Sequence, residues 1–157
     1  MEASDESLIT DAHRARIGVL SEPFPCVISA VDAQHVRDVL LDADPRYADD
    51  TGTAAPYALS ILEPRPIGGL PPHIIPRILP GGVLTQSEWT WHRDFKYGEP
   101  LIARHQVVDI RERLGGRFGR SVLVIAKTEY RTSAGELVAE TAHTVTQFDP
   151  SGRGTQE

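Results

Sequence analysis

The chain has 157 residues, 40% hydrophobic and 24% charged, which suits one domain with one core. Its net charge is −6 and it contains no block of Lys or Arg, which counts against nucleic acid or an anionic membrane as the main partner. A single cysteine, Cys26, rules out an internal disulfide and any Cys-based metal site.

Residues 1–24 read as a polar lead-in, with an acidic start, "MEASDESLITDAHRA", that lacks the apolar core of a signal peptide. No window reaches membrane-spanning length, so the expected location is the cytoplasm. Cys26, in "EPFPCVISA", reads as a small buried hydrophobe rather than a nucleophile. A helix is predicted over 32–42. Ser29 and Asp32 give its capping signature, Val36, Val39 and Leu40 recur at helical spacing, and Pro45 stops it. Residues 51–82 carry seven of the twelve prolines and cannot be one regular element. They are also too apolar for a free linker, with Tyr57, Leu59, Ile61, Leu62, Ile74, Ile75, Ile78 and Leu79. The stretch reads as an ordered excursion lying over a core or a ligand.

Strands follow. "SEWTWHRDF" puts Trp89, Trp91, Arg93 and Phe95 on one face, and His92 on the other. "PLIARHQVVDIRERL" and "RSVLVIAKTEYRT" are rich in β-branched residues and joined by "GGRFG"; "AGELVAETAHTVTQF" alternates. The basic stretch "RERLGGRFGR" therefore reads as a turn between strands, with the edge of an anionic-ligand site as the minor alternative. Four antiparallel strands of this length make a curved sheet that needs something apolar to wrap, and the helix is the candidate. Residues 149–157 read as a flexible tail.

The expected class is α+β, a curved antiparallel sheet around a central helix: the hot-dog architecture. "VLTQSEWTWHRDFKYGEPL" resembles the MaoC-like dehydratases, in particular their N-terminal, degenerate hot-dog domain. There an aromatic-His-Arg stretch precedes a Gly-Asp turn; here it is Trp91-His92-Arg93, then Gly98-Glu99. "LPPHIIPRILPGG" is similar to the lead-in of that strand and "AKTEYRTSAGELVAETAHTV" to the closing hairpin, so the resemblance spans residues 25–148. It implies a catalytic Asp at Asp42, the motif's Asn at Asp44, its Pro at Pro45, its His at Tyr47 and a trailing acid at Asp49.

Reversible hydration of an enoyl thioester needs a base for water, an acid for the α-carbon and donors on the thioester carbonyl. The family's His titrates near working pH. Tyrosine has a reference pKa of about 10, and bringing it to neutrality costs about 4 kcal/mol. Asp42, Asp44, Asp49 and Asp50 would push it the other way. Tyr47 therefore reads as a packing or hydrogen-bonding residue, and Asp42 is either a retained catalytic acid or only a helix-end polar residue. Of the other histidines, His92 is the least unfavourable substitute, although a structural or partner-facing role suits it better. His73 lies in the excursion, His105 and His143 on strands. None has metal-ligand spacing, and the chemistry calls for neither metal nor cofactor.

The resemblance implies a subunit of an (R)-specific enoyl-thioester hydratase or 3-hydroxyacyl-thioester dehydratase. It would be the substrate-binding, non-catalytic half of a hetero-oligomer, acting on an acyl-CoA or acyl-carrier-protein thioester. Tyr57, Leu59, Ile74, Ile78, Leu79, Gly81 and Gly82 are the candidate acyl-binding residues. Two alternatives stand beside it: a self-sufficient homodimeric hydratase using Asp42 with a histidine outside the motif, and a non-enzymatic acyl-thioester-binding hot-dog. Thioesterase chemistry on this fold is a weaker possibility.

Overall fold

The computed structural model describes residues 6–61, 75–116 and 119–152. In chain order the elements are α1 (Asp11–Arg14), β1 (Phe24–Cys26), α2 (Ala30–Leu40), β2 (Thr53–Ala54), α3 (Pro56–Ile61), β3 (Gly81–Trp91), β4 (Phe95–Lys96), β5 (Leu101–Arg113), β6 (Ser121–Thr132) and β7 (Leu137–Phe148). The main sheet is antiparallel in the order β1-β5-β6-β7-β3, and β2 pairs with β4 in a small second sheet. The first long strand therefore pairs with the last, Gly81 opposite Phe148 and Trp91 opposite Ala139.

Ser29 caps α2 as expected, its hydroxyl accepting from the Asp32 amide at 3.1 Å. Pro45 does not stop the helix. Leu41 does, by turning left-handed at φ 54°, and the Asp42 amide then closes back on the Arg37 carbonyl at 3.0 Å. The buried face of α2 is Ala33, Val36 and Arg37; Val39 and Leu40, placed by periodicity in the apolar stripe, are exposed. The excursion opens with α3, its Pro56 at the first helical position where a missing N–H costs nothing.

The sheet thus covers two helices rather than one. Cys26, Ala33 from α2, Ala58 and Leu59 from α3, Phe95 from β4, and Leu101, Ala103, Tyr130, Val138 and Ala139 from the long strands form one core cluster. Full burial of a side chain such as Leu59 or Phe95 contributes about 1.5–3 kcal/mol each. Burial also pushes the Cys26 thiol up to about 11, so it behaves as the apolar residue its setting suggested. A second cluster, Ile9, Val107, Ile110, Val122 and Val124, is covered by Leu8, Ile75, Ile78 and Leu79. The lead-in belongs to this packing: Glu112 accepts from the Leu8 amide at 2.8 Å, and the Gly18 and Ser21 amides bond to β5 carbonyls.

Trp89 and Trp91 share a face and stack at 5.9 Å, but Phe95 has left that strand for β4. Trp89 also stacks on Tyr130 of β6 at 5.7 Å. It reaches across β7 because the intervening residues there, Ala139 and Thr141, are small. The two sheet edges differ. Residues 17–26 shield β5, while β3 has no second strand partner among the described residues, with Val83 43%, Leu84 50% and Trp91 39% exposed.

Candidate functional site

The corner after α2 is assembled by short-range polar contacts that its sequence dictates. The Asp42 Oδ1 accepts from the Asp44 amide at 2.9 Å, an Asx turn that carries the chain away from the left-handed Leu41. Asp44 then caps a 3₁₀ turn at Pro45–Tyr47, accepting from the Arg46 amide at 3.0 Å and pairing with the Arg46 guanidinium at 2.6 Å. Tyr47 is buried at 9% exposure, with Arg46 lying over its ring at 5.2 Å.

Longer-range ties lock the corner in place. Arg37, buried in the last turn of α2, donates to the carbonyls of Tyr47 and Asp42. The Tyr97 hydroxyl donates to the same Tyr47 carbonyl at 3.2 Å. Tyr57 of α3 donates its hydroxyl to Asp42 Oδ2. Two of the candidate residues, Asp42 and Tyr57, are therefore in direct contact. Arg37 and Tyr97 are site residues that sequence reasoning missed. A basic residue in the last helical turn, next to a run of unpaired carbonyls, was the available signal for Arg37.

These contacts set the protonation of the pair. The Tyr57 hydroxyl, followed by the Asp44 amide, holds the Asp42 carboxyl below the usual carboxylate range. Burial, followed by the Asp42 carboxylate, pushes the Tyr57 phenol up from its ordinary value. Neither group is suited to exchange protons near neutrality. The described partners of the Asp42 carboxylate are a phenol and an amide, not an imidazole.

A lowered Asp stabilises the fold above its unfolded pKa of about 3.9 and loses that contribution as pH falls through the folded value. A raised Tyr stabilises below about 10 and loses the contribution as pH rises through its folded value. The pair is thus fully stabilising between about pH 4 and 10. Tyr57→Phe is expected to destabilise the chain at pH 7, and the gap to wild type should narrow at pH 3. Urea denaturation at both pH values checks this.

His92 sits just past the end of β3. Its Nε2 lies 2.7 Å from Glu140 Oε2, on the outer face of the sheet opposite Trp89 and Trp91. Lys127, followed by His92, holds the Glu140 carboxyl below its ordinary value. His105 is buried against Thr128 at 2.5 Å, and His143 is half-buried with its ring edge-on to Trp89. His73 and Ile74 lie outside the described residues.

Leu59 is fully buried in the first core cluster. The amides of Ile78 and Leu79 donate to Gln147 Oε1 at 2.7 and 3.1 Å, clamping that segment on the sheet. Gly81 is fixed by close approach: a Cβ there would meet the Phe148 carbonyl oxygen at 2.8 Å. Leu79, Gly81 and Gly82 nevertheless line a cavity of about 310 Å³ with Ile75, Val145 and Gln147. Among the described residues no group of three or more His, Cys, Asp or Glu side chains is arranged for a metal, and no helix is long and apolar enough to cross a membrane.

Comparison with known proteins gives this geometry its context. The family model described as "FAS1-like, dehydratase domain region" matches residues 15–141. Among solved structures, the ChsH1-ChsH2 complex from Mycobacterium tuberculosis aligns with a TM-score of 0.70 at 19% identity, over 85% of this chain and 90% of that one. The C-terminally truncated HadBC (3R-hydroxyacyl-ACP dehydratase) complex from the same organism aligns at 0.65 and 19% identity, over 88% and 98%. The (R)-hydratase from A. caviae involved in PHA biosynthesis aligns at 0.56 and 14% identity, over 93% and 99%. These likenesses establish the hot-dog fold, with a curved sheet that does not close into a barrel. No match was found among curated proteins. The resemblance read from Trp91-His92-Arg93 and its flanking segments is borne out.

Proposed function

Because the chain belongs to the FAS1-like dehydratase-domain family, matched over more than half its length, we propose that it is the non-catalytic, substrate-binding subunit of an (R)-specific enoyl-thioester hydratase or 3-hydroxyacyl-thioester dehydratase. The observation that carries this reading is Tyr47. A buried phenol occupies the position where the family resemblance implies an imidazole. Its neighbour Asp42 has its carboxylate occupied by the Tyr57 hydroxyl and the Asp44 amide. A corner so arranged can hold α2, α3 and the loop between them in register, but among its described side chains none is an imidazole within hydrogen-bond reach of the Asp42 carboxylate.

In this reading the proton chemistry belongs to a second hot-dog subunit with an intact Asp…His pair. Two features support the pairing. β3 presents an 11-residue edge without proline or lysine, the form of strand that another sheet extends. Two of the similar structures are complexes, ChsH1-ChsH2 and HadBC. The acyl chain of a CoA or carrier-protein thioester would lie against the excursion. The open groove lined by Leu79, Gly81 and Gly82 is a described space where it could lie. A homodimeric hydratase built on Asp42 and His92 is the weaker reading, since the His92 imidazole is engaged by Glu140 on the outer face.

Co-expression tests the proposal. The hot-dog proteins of the native host that carry an intact Asp…His pair are expressed one by one with this chain, and each purified complex is assayed for crotonyl-CoA hydration. The expected result is a stable complex with turnover. Failure to form a complex with any of them would sink the subunit reading.

A further inference from the structure

Leu41 is the one non-glycine residue with a positive φ among those described, at φ 54° and ψ 34°. A Cβ in that region crowds the following carbonyl, which is why helices commonly end there on glycine. The leucine gains no packing inside the chain in return, being 88% exposed. Val39 and Leu40 beside it are 68% and 49% exposed, so the last turn of α2 offers three aliphatic side chains to solvent. Backbone strain of this kind persists where something beyond local conformation favours it.

A chain of contacts joins this apolar end to the open sheet edge. Asp42, next after Leu41, is held by Tyr57 of α3. The carbonyl of Pro56, the first residue of α3, accepts from the Trp91 indole at 3.2 Å, and Trp91 is the last residue of β3. The area of contact leads to the same place. An 11-residue strand is about 36 Å long, and a paired strand covers a band about 10 Å wide, or about 360 Å². A standard interface takes about 800 Å² per partner. The remainder must come from surface near the edge, and the end of α2, tied to Trp91 through Asp42, Tyr57 and Pro56, is the apolar candidate.

We infer that Leu41, with Val39 and Leu40, forms a knob that docks the partner hot-dog subunit pairing along β3; the inference rests on the subunit reading above. The one charged side chain of β3, Glu88, is already hydrogen-bonded by Gln86 at 2.6 Å. The edge strand itself therefore offers its partner mainly apolar and neutral polar side chains.

The test measures two quantities that a purely internal role would not move in opposite directions. Leu41→Gly removes both the side chain and the strain, and Leu41→Asn keeps a residue that tolerates the conformation. Both variants should raise the Tm of the isolated chain, the glycine by about 2–4 °C, and both should weaken the complex with the co-expressed Asp…His hot-dog subunit at least tenfold. A gain in Tm with unchanged affinity overturns the docking role and leaves the subunit reading standing. Absence of a complex with every such protein overturns both. Self-association of the chain that Leu41→Gly abolishes would assign the surface to a second copy instead, and so overturns the heterologous partner.

Discussion

Arg37→Met should destabilise the chain by about 2–3 kcal/mol, the largest stability effect expected from any single change at the corner. The guanidinium is buried and donates to the carbonyls of Tyr47 and Asp42. Methionine fills similar volume but leaves those carbonyls to lose a charge-assisted donor, and for Asp42 there is no other described donor. Hydrogen bonds to charged groups contribute about 1.5–3 kcal/mol, and an unsatisfied buried acceptor costs about 1–3. For a chain of this size the Tm should fall by about 5–10 °C. Arg46→Met is the control. Its ion pair with Asp44 is largely solvent-exposed and screened, and its cation–π contact with the Tyr47 ring is worth about 0.5–1 kcal/mol, so their removal should lower the Tm by only about 1–3 °C. Thermal melts of the two variants side by side separate the brace from the surface pair.

If the chain is the proposed subunit, Asp42→Asn should change the turnover of its complex with the Asp…His partner less than tenfold. Alanine in place of the partner subunit's motif histidine should lower turnover by about 10²–10⁴, the usual contribution of a general acid–base group. Asparagine offers one acceptor oxygen where Asp42 serves both Tyr57 and Asp44, so the variant should lose stability without losing chemistry. Rates are compared per folded complex. A drop of 10² or more with Asp42→Asn would place the carboxylate among the reacting groups and restore the catalytic reading of Asp42.

The features that were legible in the sequence are those set by local physics. Ser29 and Asp32 marked the start of α2 because capping is decided within four residues. Alternation and β-branched residues marked β5, β6 and β7, and the family resemblance rested on short segments whose order survives. The end of α2 was misread because a leucine gives no sign that it will turn left-handed, whereas Pro45 is a conspicuous breaker. In fact Pro45 opens the next turn. Likewise α3 was hidden by its own Pro56, which at a first helical position favours the helix.

Non-local contacts left no trace in the spacing. The pairing of β3 with β7, the Tyr57–Asp42 bond and the Arg37 brace each join residues that only the finished fold brings together. The corner could be located from sequence, but how its side chains are occupied could not.

The most direct measurement is the rate of crotonyl-CoA hydration by the isolated, homogeneous chain, followed against buffer and against the same preparation heat-denatured. On the proposed reading a phenol, Tyr47, stands where the family motif implies an imidazole, and the Asp42 carboxylate is engaged by Tyr57 and Asp44, so the expected rate is no different from either control. Sustained turnover by the single protein, saturable in substrate and lost on denaturation, would contradict it.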